Sequence, residues 1–474
     1  MKKIFIYILT LNLFTGCSGF LDEVDKDQLI PTKTEHFSSV LLNEFSKEVA
    51  RFGAVDYMAD NIVEYIYSSE NTRRPYKPIY SWQKEIELDE NGVRATNNNK
   101  AWEDMYKDVG IANYVIELVE EAEGAQSERD FIKGEAYFVR AWSFFNLTNL
   151  YAKPYSKENA NVELGIPLRI DNGLEQTYDR ATLKESYEQI IADLQMAQDF
   201  LMKSGITKTK YHPTVDACNL LFSRIYLYMN DWENADAYAS KVIANNPLSM
   251  MVESGPYVTE DRTDILYSSG LLAPSISESA FDAGWQVNPA FIRLFDKTND
   301  LRFNAFFTRM DKKIGEVYYT QKQGLFTKLG FVNLRVAEAY LNRAEARYHL
   351  GGDAMADLNA LVAKRYRAPS AVQIPASGPS LLDFILLERR KELCFEDHHR
   401  WFDLRRMKNR PAIEHRYTLT DDAGNKVGTE KYVLLSNDPN YTLPIPLKER
   451  DNNPLIRNNE RYEKLPETTI DDNI

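Results

Sequence analysis

Between positions 388 and 407 the chain reads ERRKELCFEDHHRWFDLRRM. Glu396 and His399 have the types and spacing of metal ligands, because a carboxylate and an imidazole at i and i+3 share one face of a helix. A di-iron bundle needs two such E-x-x-H pairs plus two further glutamates on neighbouring helices. No second E-x-x-H occurs here, and four of the six histidines, His36, His212, His349 and His415, are scattered elsewhere. H-E-x-x-H and cysteine pairs at zinc spacing are also missing. The same stretch reads as structure. Glu388, Glu392 and Glu396 recur every four residues among Arg389, Arg390, Arg400 and Arg405, a pattern that builds ion pairs between a helix and its neighbours. Taken as one continuous helix, it sets Leu386, Leu393, Trp401 and Leu404 along one face, with Arg390 and Asp397 beside them. Breaking a buried ion pair costs about 3–5 kcal/mol, so such a pattern is tightly specified without any reaction. There is no G-x-S-x-G elbow, P-loop or dinucleotide-binding glycine fingerprint. Among 70 acidic residues no carboxylate pair stands out as glycosidase machinery. The reading is a non-catalytic protein with no metal and no cofactor.

The elements that must carry these residues are mostly helices. In 182–205, Thr182 and Glu185 form a capping box, Leu183, Tyr187, Ile190, Leu194, Ala197 and Leu201 make one apolar stripe, and Gly205 suits the stop. The run 130–151 is apolar on most faces, which predicts a helix buried among others. Residues 217–247 and 335–365 read as helix–turn–helix units of tetratricopeptide type, turning at Asn230-Asp231-Trp232 and at Gly351-Gly352. Ala235 and Ala239 allow close packing in the first. The repeat-like units are placed at about 102–151, 181–247 and 331–365. Between them, 65–101, 248–300 and 410–460 lack helical period and read as long loop excursions with short β-like runs, where binding usually resides. The fold class is mostly α, a scaffold of helix pairs with minor β-structure.

At 474 residues and 44% hydrophobic composition, a large core is available. A net charge of −13 with no basic, aromatic-rich run disfavours nucleic acid as a partner. MKKIFIYILTLNLFTGC opens with two lysines and an apolar run too short to span a bilayer, and it closes on Phe-Thr-Gly-Cys. This resembles a bacterial lipobox, with Phe14 in place of the usual leucine. Residues 1–16 are then a lipoprotein signal peptide, Cys17 is the lipidated residue, and 17–36 form an extended tether to a single domain at 37–474. Several acyl chains at about 0.8 kcal/mol per buried methylene anchor a globular domain to a membrane. Cys218 and Cys394 sit in apolar helical contexts and read as small buried hydrophobes, with a disulfide between them left open.

Several segments together resemble the SusD/RagB family of Bacteroidetes surface lipoproteins. WEDMYKDVGIANYVIE (102–117) is similar to its W-x-x-x-Y-x-x-I-x-x-x-N segment, with Val109 for isoleucine. GEAYFVRAWSFFNLTNLYAKPY and RVAEAYLNRAEARYHLGG are similar to its aromatic-rich and R-x-x-E-x-Y-L helices. The 388–407 stretch matches E-R-R-x-E-L-x-F-E-x-x-R-W-x-D-L-x-R with one extra histidine before Arg400, and YTLPIPLKERDNNPLIRNN matches the closing pattern. The resemblance implies a non-catalytic, outer-membrane, surface-exposed glycan-binding lipoprotein. Its helical side would meet a SusC-like TonB-dependent barrel into which bound oligosaccharide is passed. A lipid-anchored repeat scaffold that binds peptides or proteins is the alternative.

The resemblance carries no ligand residues onto this chain, so the expected site rests on chemistry. Sugars offer apolar C–H faces to aromatic rings and hydroxyls to Asn, Asp and Arg. Trp102, Trp142, Trp232 and Trp401 lie in helical motifs and read as core. Trp82 and Trp285 alone fall in loop-like stretches. Trp82, Tyr76 and Tyr80, with Asn71, Arg73 and Arg74 beside them and Trp285 with Asn288, are the expected platform and polar rim. The alternative weighed for each tryptophan is that it pins its loop to the scaffold.

Overall fold

The structure is a computed structural model and describes residues 31–46, 53–95, 100–173, 177–253, 257–268, 284–312, 315–322, 332–421 and 423–470. Cys17, the signal segment and most of the tether lie outside the described residues. The long helices are α1 (Thr34–Ser46), α2 (Ala101–Leu118), α3 (Gln126–Tyr151), α4 (Leu183–Ser204), α5 (Val215–Tyr228), α6 (Trp232–Asn245), α7 (Val336–Leu350), α8 (Met355–Arg365), α9 (Pro379–Glu392) and α10 (His399–Arg406). From α2 to α6 each helix packs on the next, α6 on α7, and α7 on α8 and α9, giving a mostly helical array of tetratricopeptide type.

Local sequence explains where these helices start and stop. Thr182 accepts from the Glu185 amide at 3.1 Å while the Glu185 carboxylate accepts from the Thr182 amide at 2.8 Å, closing the capping box of α4. Gly205 ends it in the left-handed region (φ 62°). Asn230 turns left-handed (φ 57°) between α5 and α6, and Asp231 caps α6 by accepting from the Asn234 amide. Ala235 and Ala239 are fully buried, and their small size lets Ser223 Oγ reach the Ala235 carbonyl at 3.0 Å. Helix α3 is buried almost without interruption from Asp130 to Tyr151, between α2 and α4. Arg140 at its centre donates two bonds to Asp193 of α4 (2.9 and 2.6 Å) and one to Asn113 of α2 (2.8 Å), so one guanidinium fixes three helices.

The 388–407 stretch is not one helix. It is α9 and α10 joined by a turn, with Phe395, Asp397 and His398 at φ 57°, 42° and 56°. Left-handed backbone costs about 1–2 kcal/mol per non-glycine residue, and inward-facing ion pairs offset it. Glu396 binds Arg335 and Lys322, each at 2.7 Å, and Asp397 binds Arg224 and accepts from Asn333 at 3.1 Å. Glu392 meets Arg335 (2.6 Å), Arg365 (2.8 Å) and Arg302 (3.2 Å). Arg389 pairs with Asp403 at 2.8 Å. Arg224 of α5 also grips Glu338 of α7 at 2.7 Å, so the network fastens the turn to the repeat array. Arg405 departs from the expected pattern: it donates to backbone carbonyls of Tyr441 and Ala152 and has no carboxylate partner among the described residues.

Short antiparallel sheets gather the excursions. β1 (Ile62–Glu64) pairs with β3 (Trp285–Val287), and β2 (Ile265–Tyr267) with β6 (Leu334–Arg335). β4 (Phe307–Lys312) pairs with β5 (Gly315–Thr320). β7 (Ile413–Thr420), β8 (Lys426–Leu434) and β9 (Glu467–Ile470) form a three-stranded sheet. One-turn helices occupy 70–73 and 77–80, so 70–80 within the 65–101 excursion is more ordered than its composition suggests. A single large core runs through the array, with a satellite of Ala344, Ala354, Leu358, Leu381 and Ile385 under α8 and α9. Cys218 and Cys394 are buried free thiols.

Candidate functional site

The expected platform is corrected by burial. Trp82 and Trp285 are both 0% exposed and offer no face to a sugar. The ring of Trp82 stacks on His415 at 4.2 Å, Tyr80 stacks on the other side at 4.1 Å, and Trp82 Nε1 donates to the Met58 carbonyl at 2.9 Å. Trp285 lies against Tyr57 (4.9 Å), Tyr80 (4.7 Å) and Tyr76 (6.3 Å). Burial pushes the His415 imidazole down to about 4, so it packs as a neutral ring. Trp285 on β3, Tyr80 in the short helix at 77–80 and His415 on β7 converge here, and the aromatics pin these segments to each other. Arg73 is buried beside Glu64, and Asn288 caps the turn at 289–292 while donating to the Asp60 carbonyl at 3.0 Å. Asn71 and Arg74 are exposed.

The Glu396–His399 pair is likewise occupied by the ion-pair network. His399 lies between Arg224 (3.3 Å) and Arg389 (3.4 Å). Burial, reinforced by those two cations, holds its imidazole well below the usual histidine range.

An open cavity of roughly 630 Å³ lies elsewhere, where three stretches meet. Helix α2 supplies one wall through Trp102 and Tyr106, which stand one turn apart with ring centroids 4.8 Å from each other. Pro167, Arg169, Thr177 and Tyr178 supply the second, and 446–453 the third, with Lys448, Glu449 and Asn453. Glu87, Arg94 and Lys100 stand at the approach to α2. The walls are tied together. Tyr106 donates to the Pro167 carbonyl at 2.8 Å, Asn453 to the Tyr178 carbonyl at 3.0 Å, and the Leu447 amide to Glu87 at 3.1 Å. Trp102 Nε1 donates to Glu449 at 3.3 Å.

Two buried guanidinium groups outside the cavity lining fasten neighbouring backbone, and among the described residues neither forms an ion pair. Arg180 donates to the carbonyls of Gly165 (2.8 Å), Tyr151 (2.8 Å) and Arg457 (2.9 Å), and burial lowers it to about 10. Arg461 donates to Gln83 (2.6 Å), Asn440 (2.7 Å) and Lys84 (3.1 Å), and burial lowers it to about 9. Five donors in a rigid fork let one side chain satisfy several backbone carbonyls.

The cavity therefore joins apolar ring surface to amide, carboxylate and cationic groups, the combination that recognises a polar, ring-shaped ligand. Sequence reasoning assigned Trp102 to the core. At 6% exposure it is core on one face and cavity wall at its edge. The available signal was Trp102 and Tyr106 at i and i+4 in the first turns of α2, directly after a polar approach.

A helical-repeat scaffold with loops converging on a polar–aromatic cavity defines a class of binding protein, and comparison with known proteins places the chain within it. The model described as the SusD family matches residues 150–462, and one described as "Starch-binding associating with outer membrane" matches residues 19–227. The chain belongs to the SusD family. It is 24% identical over 428 residues to SusD-like protein P2 of Formosa agariphila, covering 76% of this chain and 80% of that one. Its fold is similar to a SusD superfamily protein of Bacteroides thetaiotaomicron, with TM-score 0.73 and 23% identity over 91% of this chain and 100% of that one. Surface glycan-binding protein A of Bacteroides uniformis is also similar, with TM-score 0.66 and 17% identity over 90% of this chain and 99% of that one.

Proposed function

We propose that this protein is a non-catalytic glycan-capture lipoprotein of the outer membrane, anchored through Cys17, and that the cavity between α2, 167–169, 177–178 and 446–453 receives the oligosaccharide. Tyr106 and Tyr178 cover C–H faces of sugar rings, Trp102 presents its edge beside them, and Asn453, Glu449 and Arg169 pair with hydroxyls. The observation that carries this reading is the junction of three aromatic residues with hydrogen-bonding side chains in one open cavity of roughly 630 Å³. Membership of the SusD family supports glycan as the ligand class. Captured oligosaccharide is handed to a SusC-like TonB-dependent barrel, and the helical array is the face that meets it. Titration of oligosaccharides into the protein and its Tyr178→Ala variant tests the site. Loss of one ring platform weakens binding by about 1–3 kcal/mol, by analogy with stacking on aromatic side chains. Unchanged affinity in the variant removes the cavity from consideration. Affinity purification from outer membranes tests the partner, and recovery of no TonB-dependent barrel overturns that part.

A further inference from the structure

We infer that the cavity selects an acidic oligosaccharide, one bearing uronate carboxylates, a conclusion that rests on the cavity being the glycan site. Its lining holds the cations Arg94, Lys100, Lys107, Arg169 and Lys448 against the carboxylates Glu87, Glu103 and Glu449. This local excess of positive charge stands out on a chain whose net charge is −13.

Each lining carboxylate already has work within the protein. Glu103 pairs with Lys448 at 3.2 Å, Glu449 accepts from Trp102 and Asn453, and Glu87 accepts from the Leu447 amide. Arg94 and Lys100 form no ion pair among the described residues, and both are exposed at the cavity's edge. Arg169 is pre-positioned. Its guanidinium lies 5.7 Å from the centre of the Tyr178 ring and donates to the Gly173 carbonyl at 3.1 Å. Asp171 is the opposing charge nearby, and it is engaged by the Tyr178 hydroxyl at 2.6 Å.

A guanidinium placed over a ring keeps further N–H groups for a planar carboxylate, which it binds in two-pronged fashion. Lys100 is also the N-cap of α2 and makes no side-chain cap bond, so it stands at the positive end of an 18-residue helix whose first turn carries Glu103 and Asp104. A neutral sugar uses these cations only as hydroxyl donors, whereas a carboxylate gains charge-assisted bonds from them. Successive uronate residues present a carboxylate on each ring, beside the same C–H faces that Tyr106 and Tyr178 cover.

The test compares tetragalacturonate with its fully methyl-esterified counterpart, which keeps the rings and loses the charge, by titration calorimetry on the full chain in detergent. The acidic form is expected to bind roughly 10-fold tighter at low salt, and the advantage should collapse near 1 M salt, where screening acts within about 3 Å. Arg94→Gln with Lys100→Gln, both surface changes that leave the core untouched, should weaken the acidic ligand by roughly 3–10-fold and the ester by less than about 2-fold. Equal affinity for the two ligands, with Tyr178→Ala still weakening both, overturns acid selectivity and leaves the glycan site standing. Binding of both that is insensitive to Tyr178→Ala, or of neither, overturns the acidic inference; insensitivity to Tyr178→Ala removes the site as well.

Discussion

Asp60→Asn is the sharpest test of how the 388–407 segment is fastened. Asp60 takes both prongs of Arg400, at 2.7 and 2.8 Å, and Arg390 at 3.1 Å. Burial alone would raise its carboxyl, but the two guanidinium groups outweigh it and hold Asp60 at about 2 against an ordinary 3.8. A depression of that size corresponds to about 2.5 kcal/mol of folding free energy at about 1.4 kcal/mol per unit. Because the folded pKa is the lower one, this stability is present above about pH 4 and is lost as pH falls through about 2. Removing the charge also strands Arg390 and Arg400, so the cost near pH 7 reaches about 3–5 kcal/mol. Urea unfolding of both chains at steps from about pH 7 to about pH 2 gives the difference between them, which cancels the titration of the remaining acids. That gap should narrow by about 2.5 kcal/mol across the acid range. A gap that stays constant would refute the claim that these arginines hold the carboxylate.

Three further outcomes follow from burial and hydrogen bonding. Trp285→Ala should lower stability by about 3–5 kcal/mol in chemical denaturation. It should leave the oligosaccharide affinity of folded protein within about 2-fold, since the ring is 0% exposed. Arg461→Met should cost about 3 kcal/mol by orphaning the carbonyls of Gln83, Lys84 and Asn440. Hydrogen exchange should then speed up at 440–445 and at the helix formed by 77–80. Cys218 and Cys394 should resist a thiol-specific disulfide reagent in the folded chain and react once guanidinium chloride unfolds it. Burial raises both thiols, Cys394 to about 11.

The helical array was legible because its signals are local. The capping box at Thr182, the left-handed Gly205 and the small Ala235 and Ala239 each act within a few residues of where they stand, and a period of 3.6 shows which face is buried. Long-range geometry decided everything that was misread. Phe395, Asp397 and His398 turn left-handed because Arg224, Arg335 and Lys322 wait on other elements, and no local preference announces that. Trp82 and Trp285 meet the same tyrosine–histidine cluster only because β3, β7 and the short helix at 77–80 come together in the folded chain. A tryptophan in an irregular stretch is thus ambiguous in principle: the ring area that would grip a sugar also holds a loop down, and the fold decides which. Trp102 makes the converse point. Its helical setting promised burial, but α2 begins where two other chain segments leave a gap, so the edge of a core residue becomes the wall of a cavity. Residues that repeat with the helix period could be placed from sequence, whereas the cavity is assembled from stretches near 100, 170 and 450 whose proximity only the folded chain supplies.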